Sequence, residues 1–277
     1  MTAALKLCLQ ITYIAFLAVL CHGDDTCGLA GDVSNRATEE PGFIEITVPI
    51  AAGLPIWSEA HGMPSTFRWL AMDMAKGAFA YDSHFTLGAH VGTHVDSVAH
   101  FLPSEYEAGN TIDKVPLAVL VGPSLVLQVP PGVTDISASV LQELNIPSDC
   151  QRLLLRTDNT LRKLMYTPAW TPDYAGLTAD GAQWLALNTS VELVGIDYLS
   201  IGNLADIVGA HLALFTKGII PVEGLDLTPL QSGRWYHLTC LPLKIQGAEG
   251  APARCVAWGP DNAHEQARRP ALEDETL

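Results

Sequence analysis

The histidines of this chain are most concentrated in the stretch His90-Val91-Gly92-Thr93-His94-Val95-Asp96-Ser97-Val98-Ala99-His100-Phe101. It carries three of the nine histidines and one aspartate, in the pattern H-x-G-T-H-x-D-x-x-x-H. A lone histidine is more often a surface residue or a hydrogen-bonded core residue. Four imidazole and carboxylate groups this close together favour a metal or catalytic site, because zinc and several other divalent metals prefer these ligands.

The local geometry of this stretch follows from its alternating residues. Apolar and polar residues alternate from His90 to Asp96, which predicts a strand. A straight strand would place His90 and His94 roughly 13 Å apart, too far to share one ion. A helix would bring the two histidines together but would turn Asp96 away. We therefore predict a strand end that bends at Gly92, where the missing Cβ permits unusual dihedrals.

Length and charge limit the classes of function. The chain has 277 residues, enough for one large domain or two small ones, and 48% of them are hydrophobic, so a sizeable core can form. The formal net charge of −15 argues against nucleic-acid binding, which needs a basic surface. We also find no basic amphipathic helix that would bind an anionic membrane.

The N-terminal segment has the composition of a secretory signal peptide. Lys6 is the only charged residue before Asp24, and an apolar run follows it over residues 7–21. This run is short for a membrane span, so we predict a signal peptide over 1–23, a secreted protein and no membrane attachment after cleavage. An uncleaved membrane anchor is the alternative.

The rest of the chain divides by composition. We predict a polar arm over 24–42, a single domain of mixed strands and helices (class α/β) over 43–258, and a disordered acidic tail over 259–277. Asn188-Thr189-Ser190 is an N-glycosylation sequon, which fits a secreted protein.

Apolar patterning predicts the elements of the domain. Predicted strands cover residues 43–50, 85–90, 117–121, 125–129, 151–156, 191–196, 219–222, 236–245 and 253–258. We expect a hairpin at Gly122-Pro123, a polar loop over 101–110, a helix capped by Thr178 that runs to residue 187, and a helix over 206–215.

Four cysteines remain after signal cleavage, which suggests two disulfides with three connectivities. Cys240 and Cys255 flank the turn at 246–250 on two predicted antiparallel strands. Directly opposed residues there have Cα atoms about 4.5–5.5 Å apart, which suits a disulfide. Cys27 would then pair with Cys150.

Three further residues are candidates for the site. His211 lies on the apolar helix and Glu223 follows an apolar strand, and a buried charge needs a partner. Alone, His211 is more often a hydrogen-bonded core residue. Trp57, in an apolar loop, is a candidate substrate-binding residue, and packing in the core is the alternative.

The motif over His90–His100 resembles the signature of the putative cyclase family, which includes bacterial-type kynurenine formamidases and isatin hydrolases. Similarity continues through three further segments and covers roughly residues 43–258. These segments are Gly195-Ile196-Asp197-x-x-Ser200, Leu241-Pro242-Leu243-Lys244 and Gly250-Ala251-Pro252-Ala253-Arg254. His211 and Glu223 match the second ligand pair of the family. Val98 departs from the family pattern, which has proline at this place.

The resemblance implies a swivelling β/β/α cyclase-type fold and a metal-dependent hydrolase, expected as a homo-oligomer. His90, His94 and Asp96 would bind a first metal ion, and Asp96, His211 and Glu223 a second. Zinc is usual in the formamidase branch and a single manganese in the isatin hydrolase branch. His100 would be the general acid/base.

The expected reaction is hydrolysis of a non-peptide C–N bond in a small amide, as in N-formyl-L-kynurenine, by a metal-activated water. A cyclic amide such as isatin is the alternative substrate. A serine nucleophile is disfavoured because the sequence has no G-x-S-x-G motif. A non-catalytic secreted binding protein on the same fold is the rival of a different class, because fold does not fix function.

Overall fold

The computed structural model describes residues 42–57 and 59–259. The predicted signal peptide, nearly all of the arm and the tail, and Cys27 with its proposed pairing lie outside the described residues, so these remain predictions. Within the described ranges, every helix is too short or too polar to cross a membrane.

A closed β-barrel forms the centre of the domain. The strands are β1 Phe43–Glu45, β2 Arg68–Met72, β3 Asp82–Phe85, β4 His94–Asp96, β5 Val121–Gln128, β6 Asp135–Ile136, β7 Arg152–Arg156, β8 Gly176–Leu177, β9 Leu193–Ile196, β10 Ile220–Glu223, β11 Trp235–Pro242 and β12 Gly250–Trp258. Eight of them pair in the order β1-β12-β11-β5-β7-β9-β10-β4, and β4 pairs back with β12. This last pairing closes a seven-stranded ring, to which β1 is added at the far end of β12.

Helices cover part of the barrel. They are α1 Pro103–Glu107, α2 Leu117–Leu120, α3 Ala138–Glu143, α4 Asp158–Leu161, α5 Ala179–Asn188 and α6 Ile207–Phe215. Turns of 3-10 helix cover Ser65–Phe67, Met74–Lys76, Val98–His100, Ile112–Lys114 and Leu164–Tyr166. The α/β class predicted from the sequence is confirmed.

The apolar runs of the central strands follow from burial on both faces of the sheet. Strands β5, β7, β9 and β10 are parallel to their neighbours in this group, and β7 is buried from Arg152 to Leu155. Leu154 packs into one apolar cluster with residues of β4, β10, β11 and β12, while Leu153 and Leu155 pack into another with residues of α5 and α6. A strand buried on both faces carries a continuous apolar run rather than an alternating one.

The predicted hairpin at Gly122-Pro123 is wrong. Residues 117–120 form the helix α2, and β5 runs without a break from Val121 to Gln128 alongside β11. Pro116 stands at the N-cap of α2, and a short apolar run between turn residues suits a helix as well as a strand. Gly122, at φ +147°, lets the strand pass close to the Arg152 guanidinium instead of reversing.

Two further local predictions are wrong. Strand β3 ends at Phe85, where it pairs with Arg68 of β2, and residues 86–93 are bends and irregular chain rather than a strand to His90. The predicted loop over 101–110 contains α1, which begins at Pro103, a residue suited to the first helical position.

The predicted strand over 43–50 is shorter, Phe43–Glu45, whereas three predictions that position the site are confirmed. The Thr178 hydroxyl accepts a hydrogen bond from the Gly181 amide and caps α5, and α6 follows Asp206. Cys240 and Cys255 are directly opposed on β11 and β12 and form a disulfide.

Candidate metal centre

The bend at Gly92 determines how the first candidate ligands are presented. Gly92 has φ +63°, and a Cβ there would lie 3.3 Å from Leu54. The next residue, Thr93, fixes the bend: its hydroxyl donates to the Gly224 carbonyl and accepts from the Val48 amide. The chain then enters β4 with His94, and the rings of His90 and His94 lie only 5.2 Å apart.

The barrel closure brings the remaining groups to this point. Strand β4 lies between β10 and β12, so Glu223 is directly opposite His94 and Gly250 is opposite Asp96. His211 reaches the same place from α6, 3.3 Å from the Glu223 carboxylate. The five residues predicted to bind metal are therefore brought together.

The five side chains form two triads that share Asp96. His90, His94 and Asp96 present ligand atoms within 4.8 Å of one another, and so do Asp96, His211 and Glu223. Oδ1 of Asp96 lies 2.7 Å from His90 Nδ1 and 3.6 Å from His94 Nε2. Oδ2 lies 3.8 Å from His211 Nε2. The two carboxylate oxygens thus face different histidines, as a group bridging two ions would.

Backbone carbonyls fix the orientation of two of these histidines. His94 Nδ1 donates to the Gly92 carbonyl and His211 Nδ1 to the Ile207 carbonyl, both at 2.8 Å. In the neutral rings Nε2 then carries the lone pair. His94 Nε2 is buried 3.2 Å from Glu223 Oε2 but has no properly oriented hydrogen-bond partner among the described residues.

Lone pairs that face buried carboxylates need a positive charge between them. Asp96 is 1% and Glu223 3% exposed. Burial lowers the pKa of His90, but the hydrogen bond and charge of Asp96 outweigh this and raise it to about 9. Burial raises the pKa of Glu223, but the hydrogen bond and charge of His211, together with the charge of His94, outweigh this and bring it well below its usual range. The imidazole and carboxylate set therefore fits a divalent metal, which would supply the charge that protons otherwise provide.

His100 lies beside both triads. It ends the 3-10 turn Val98–His100, and its ring stacks on His90 at 3.9 Å and meets His211 edge-on at 5.9 Å. Burial lowers the pKa of His100, so the ring is neutral near pH 7 and can accept a proton. Val98, at the place where the family pattern has proline, is the first residue of this 3-10 turn. It packs against the apolar cluster that contains Leu154.

A cavity of about 350 Å³ opens onto the cluster. It is lined by Trp57, His90, His100, Phe101, Leu199, Ser200, Ile207, His211 and Glu223. Trp57 stands in its wall, 42% exposed and edge-on to Trp170 and Tyr174, so it both packs and faces the cavity. A larger groove of about 540 Å³ runs along Phe85, Leu241 and Leu243 and contains none of the five candidate ligands.

Two contacts were not foreseen from the sequence. Phe101 stacks on His211 at 4.4 Å, and Glu249 places a carboxylate oxygen 3.2 Å from His90 Nε2. Glu249 lies in the turn before β12, where an acidic residue looks like ordinary solvent-exposed sequence.

Comparison with known proteins decides the family. The family model described as putative cyclase matches residues 44–203. The chain belongs to the putative cyclase family. The resemblance recognised in the histidine motif is thereby confirmed.

Other members of the family match over most of the chain. Cyclase-like protein 1 of Arabidopsis thaliana is 39% identical over 226 residues, which are 81% of this chain and 83% of that protein. A kynurenine formamidase of Salinibacter ruber is 34% identical over 215 residues, covering 77% and 96%.

Solved structures of similar proteins share the fold. One described as a potential metal-dependent hydrolase with cyclase activity has a TM-score of 0.64 at 27% identity, covering 78% of this chain and 96% of that one. Isatin hydrolase A from Labrenzia aggregata has a TM-score of 0.64 at 19% identity, covering 79% and 94%, and shows the fold alone. The kynurenine formamidase and the potential metal-dependent hydrolase together support a metal-dependent amide hydrolase.

Proposed function

We propose that the protein hydrolyses the C–N bond of a small formamide, with N-formyl-L-kynurenine as the substrate and kynurenine and formate as the products. The observation that carries this proposal is the pair of triads sharing Asp96, of which His90, His211 and Glu223 line the 350 Å³ cavity. The kynurenine formamidases of Salinibacter ruber and Maricaulis maris, 34% and 32% identical, support the choice of substrate.

The two triads would hold the metal. His90, His94 and Asp96 would bind one ion, and Asp96, His211 and Glu223 a second, with three protein ligands each. A divalent ion bound there supplies a water of lowered pKa and polarises a carbonyl group. Zinc and manganese both suit imidazole and carboxylate ligands, and zinc is our first choice.

The chain's own residues supply the proton transfer and the orientation. His100 is neutral, half-buried and directed at the cavity, so it can accept the proton of the attacking water and return it to the leaving nitrogen. Trp57 and Phe101 give the cavity aromatic walls that suit the aryl ring of N-formylkynurenine.

Turnover and metal content test this proposal together. Protein stripped with a chelator should be inactive on N-formyl-L-kynurenine and should regain activity with zinc or manganese. Activity on isatin alone would select the cyclic-amide alternative. Absence of turnover of both amides by metal-loaded protein would favour the non-catalytic binding protein.

The role of His100 has its own test. The variant His100→Asn should keep the metal content of the wild type and lose at least about a hundredfold in kcat, the scale of general acid–base catalysis. The exposed His61 provides the matched change His61→Asn, which should alter neither quantity. Near-normal turnover by metal-replete His100→Asn would remove His100 from the mechanism.

We also propose that the protein is secreted and self-associates. The secretion proposal rests on the apolar segment over residues 7–21, and the exposed Asn188 at the end of α5 is accessible to glycosylation. Self-association is supported by strands β2 and β3, where Trp69, Leu70 and Phe85 are each at least 42% exposed, since a two-stranded sheet is marginally stable alone.

A further inference from the structure

Among the three candidate ligand histidines, the ring of His90 is held differently from the rings of His94 and His211. His94 and His211 each donate Nδ1 to a backbone carbonyl and direct Nε2 at the carboxylates. His90 is reversed: Nδ1 lies 2.7 Å from Asp96 Oδ1, and Nε2 lies 3.2 Å from Glu249 Oε1. Its side chain is also 28% exposed, against 0% and 3% for the others, so packing restrains it least.

We propose that Glu249 is a positioning residue that fixes His90 for metal binding, with Nδ1 towards the ion and Nε2–H donated to the Glu249 carboxylate. This inference rests on the metal site proposed above. A ligand histidine commonly donates its second N–H to a carboxylate or carbonyl, which sets the tautomer and raises ligand basicity. Glu249 would accept a hydrogen bond from the second ring N–H of His90. The carbonyls of Gly92 and Ile207 accept the corresponding hydrogen bonds from His94 and His211.

The backbone places Glu249 firmly for this role. Its carbonyl accepts hydrogen bonds from both the amide and the hydroxyl of Ser97, each at 2.8 Å, so the turn before β12 is tied to the end of β4. Gly250 follows and is paired with Asp96. A Cβ at Gly250 would lie 2.7 Å from His90 Cε1, so the glycine leaves the space that the ring occupies.

The contact between Glu249 and His90 also affects His100, the proposed general acid/base. His100 stacks on His90 with the ring planes 26° apart, so the plane of His90 limits the orientation of His100. Loss of the Glu249 carboxylate should therefore weaken metal binding and also lower kcat in the metal-saturated protein.

Chelator competition with zinc tests the first effect. Glu249→Ala should bind zinc about 10- to 100-fold more weakly than wild type, the usual effect of losing such a partner, with unchanged stoichiometry. Glu249→Gln should lose less zinc affinity than Glu249→Ala, because its amide oxygen can still accept a hydrogen bond from His90 Nε2–H. Glu107→Gln, at an exposed carboxylate on α1, is the matched control and should bind as wild type.

A spectroscopic measurement separates positioning from general damage to the fold. In the cobalt(II) protein, each ligand imidazole should give one shifted, exchangeable N–H proton signal. Glu249→Ala should lose the His90 signal to solvent exchange and keep the signals of His94 and His211, which backbone carbonyls hold.

The outcomes are distinguishable. Equal zinc affinity and all three signals in Glu249→Ala would overturn this inference alone. A lower ion count in Glu249→Ala would also overturn it, because Glu249 would then be a direct ligand. Failure of wild type to bind zinc would overturn the proposed function and this inference with it.

Discussion

Replacement of Glu223 by glutamine separates the two-ion site from a one-ion site. Glu223 Oε1 accepts a hydrogen bond from the Ile201 amide at 2.7 Å, and Oε2 faces His94 Nε2 at 3.2 Å. In Glu223→Gln the amide oxygen can still accept the hydrogen bond from the Ile201 amide. The new NH2 group then takes the place of Oε2 and points at the lone pair on His94 Nε2. The metal-free variant should therefore fold as wild type, while the second triad loses its carboxylate ligand.

The expected magnitude follows from counting ligands. If two ions bind to the wild type, the metal content of Glu223→Gln should fall from about two ions per chain toward one, because an amide is a poorer metal ligand than a carboxylate. An ion present at a hundred times its Kd stabilises the protein by about 2.7 kcal/mol. For a domain of this size that corresponds to a Tm lower by roughly 5–11 °C in the metal-loaded variant.

Elemental analysis and thermal unfolding, with and without zinc, measure both effects. Glu143→Gln, at an exposed carboxylate on α3, is the control and should match wild type in both states. One ion per wild-type chain after zinc saturation would refute the two-ion argument. Glu223 would then support the site by hydrogen bonding, and the variant should lose affinity by about 10- to 100-fold without a change in stoichiometry.

Three further predictions concern stability and assembly. The Asp197 carboxylate accepts five hydrogen bonds from Thr157, Asn159 and Thr160, so Asp197→Ala should cost at least about 3 kcal/mol in urea unfolding, and Asp197→Asn clearly less. In chelated protein the raised pKa of His90, about 9, means that its pairing with Asp96 stabilises fully below about pH 6.5 and is lost as the pH rises through 9. Tm should fall over that range, and a flat profile would contradict the pairing. Light scattering should find an oligomer that Phe85→Glu weakens; a monomeric wild type would reject self-association.

Local signals in the sequence were enough to predict that three of the five candidate ligands lie together. The candidate ligands His90, His94 and Asp96 lie within seven positions, and the bend at Gly92 followed from the reach of a strand alone. The central strands were recognisable because burial on both faces leaves a continuous apolar run. Resemblance to a family, rather than pattern, supplied the proposed roles of His211 and Glu223.

The contact between Glu249 and His90 could not be predicted from local patterns in the sequence. Glu249 meets His90 across 159 positions of sequence, and its place in a turn gave no sign of this. The run at 117–121 was ambiguous because four apolar residues fit a helical turn as well as a strand, and the chain on either side decided between them.

Closure of the barrel by β12 has a consequence for the order of events during synthesis. All five candidate ligands have been synthesised once residue 223 is added, yet β4 gains its second neighbour only when residues 250–252 are made. Pairings between such distant segments form late. A chain ended at Leu243 would carry every candidate ligand but leave one edge of β4 unpaired and His90 without Glu249. We expect such a truncated chain to bind zinc weakly, so that tight metal binding requires the chain to extend through β12.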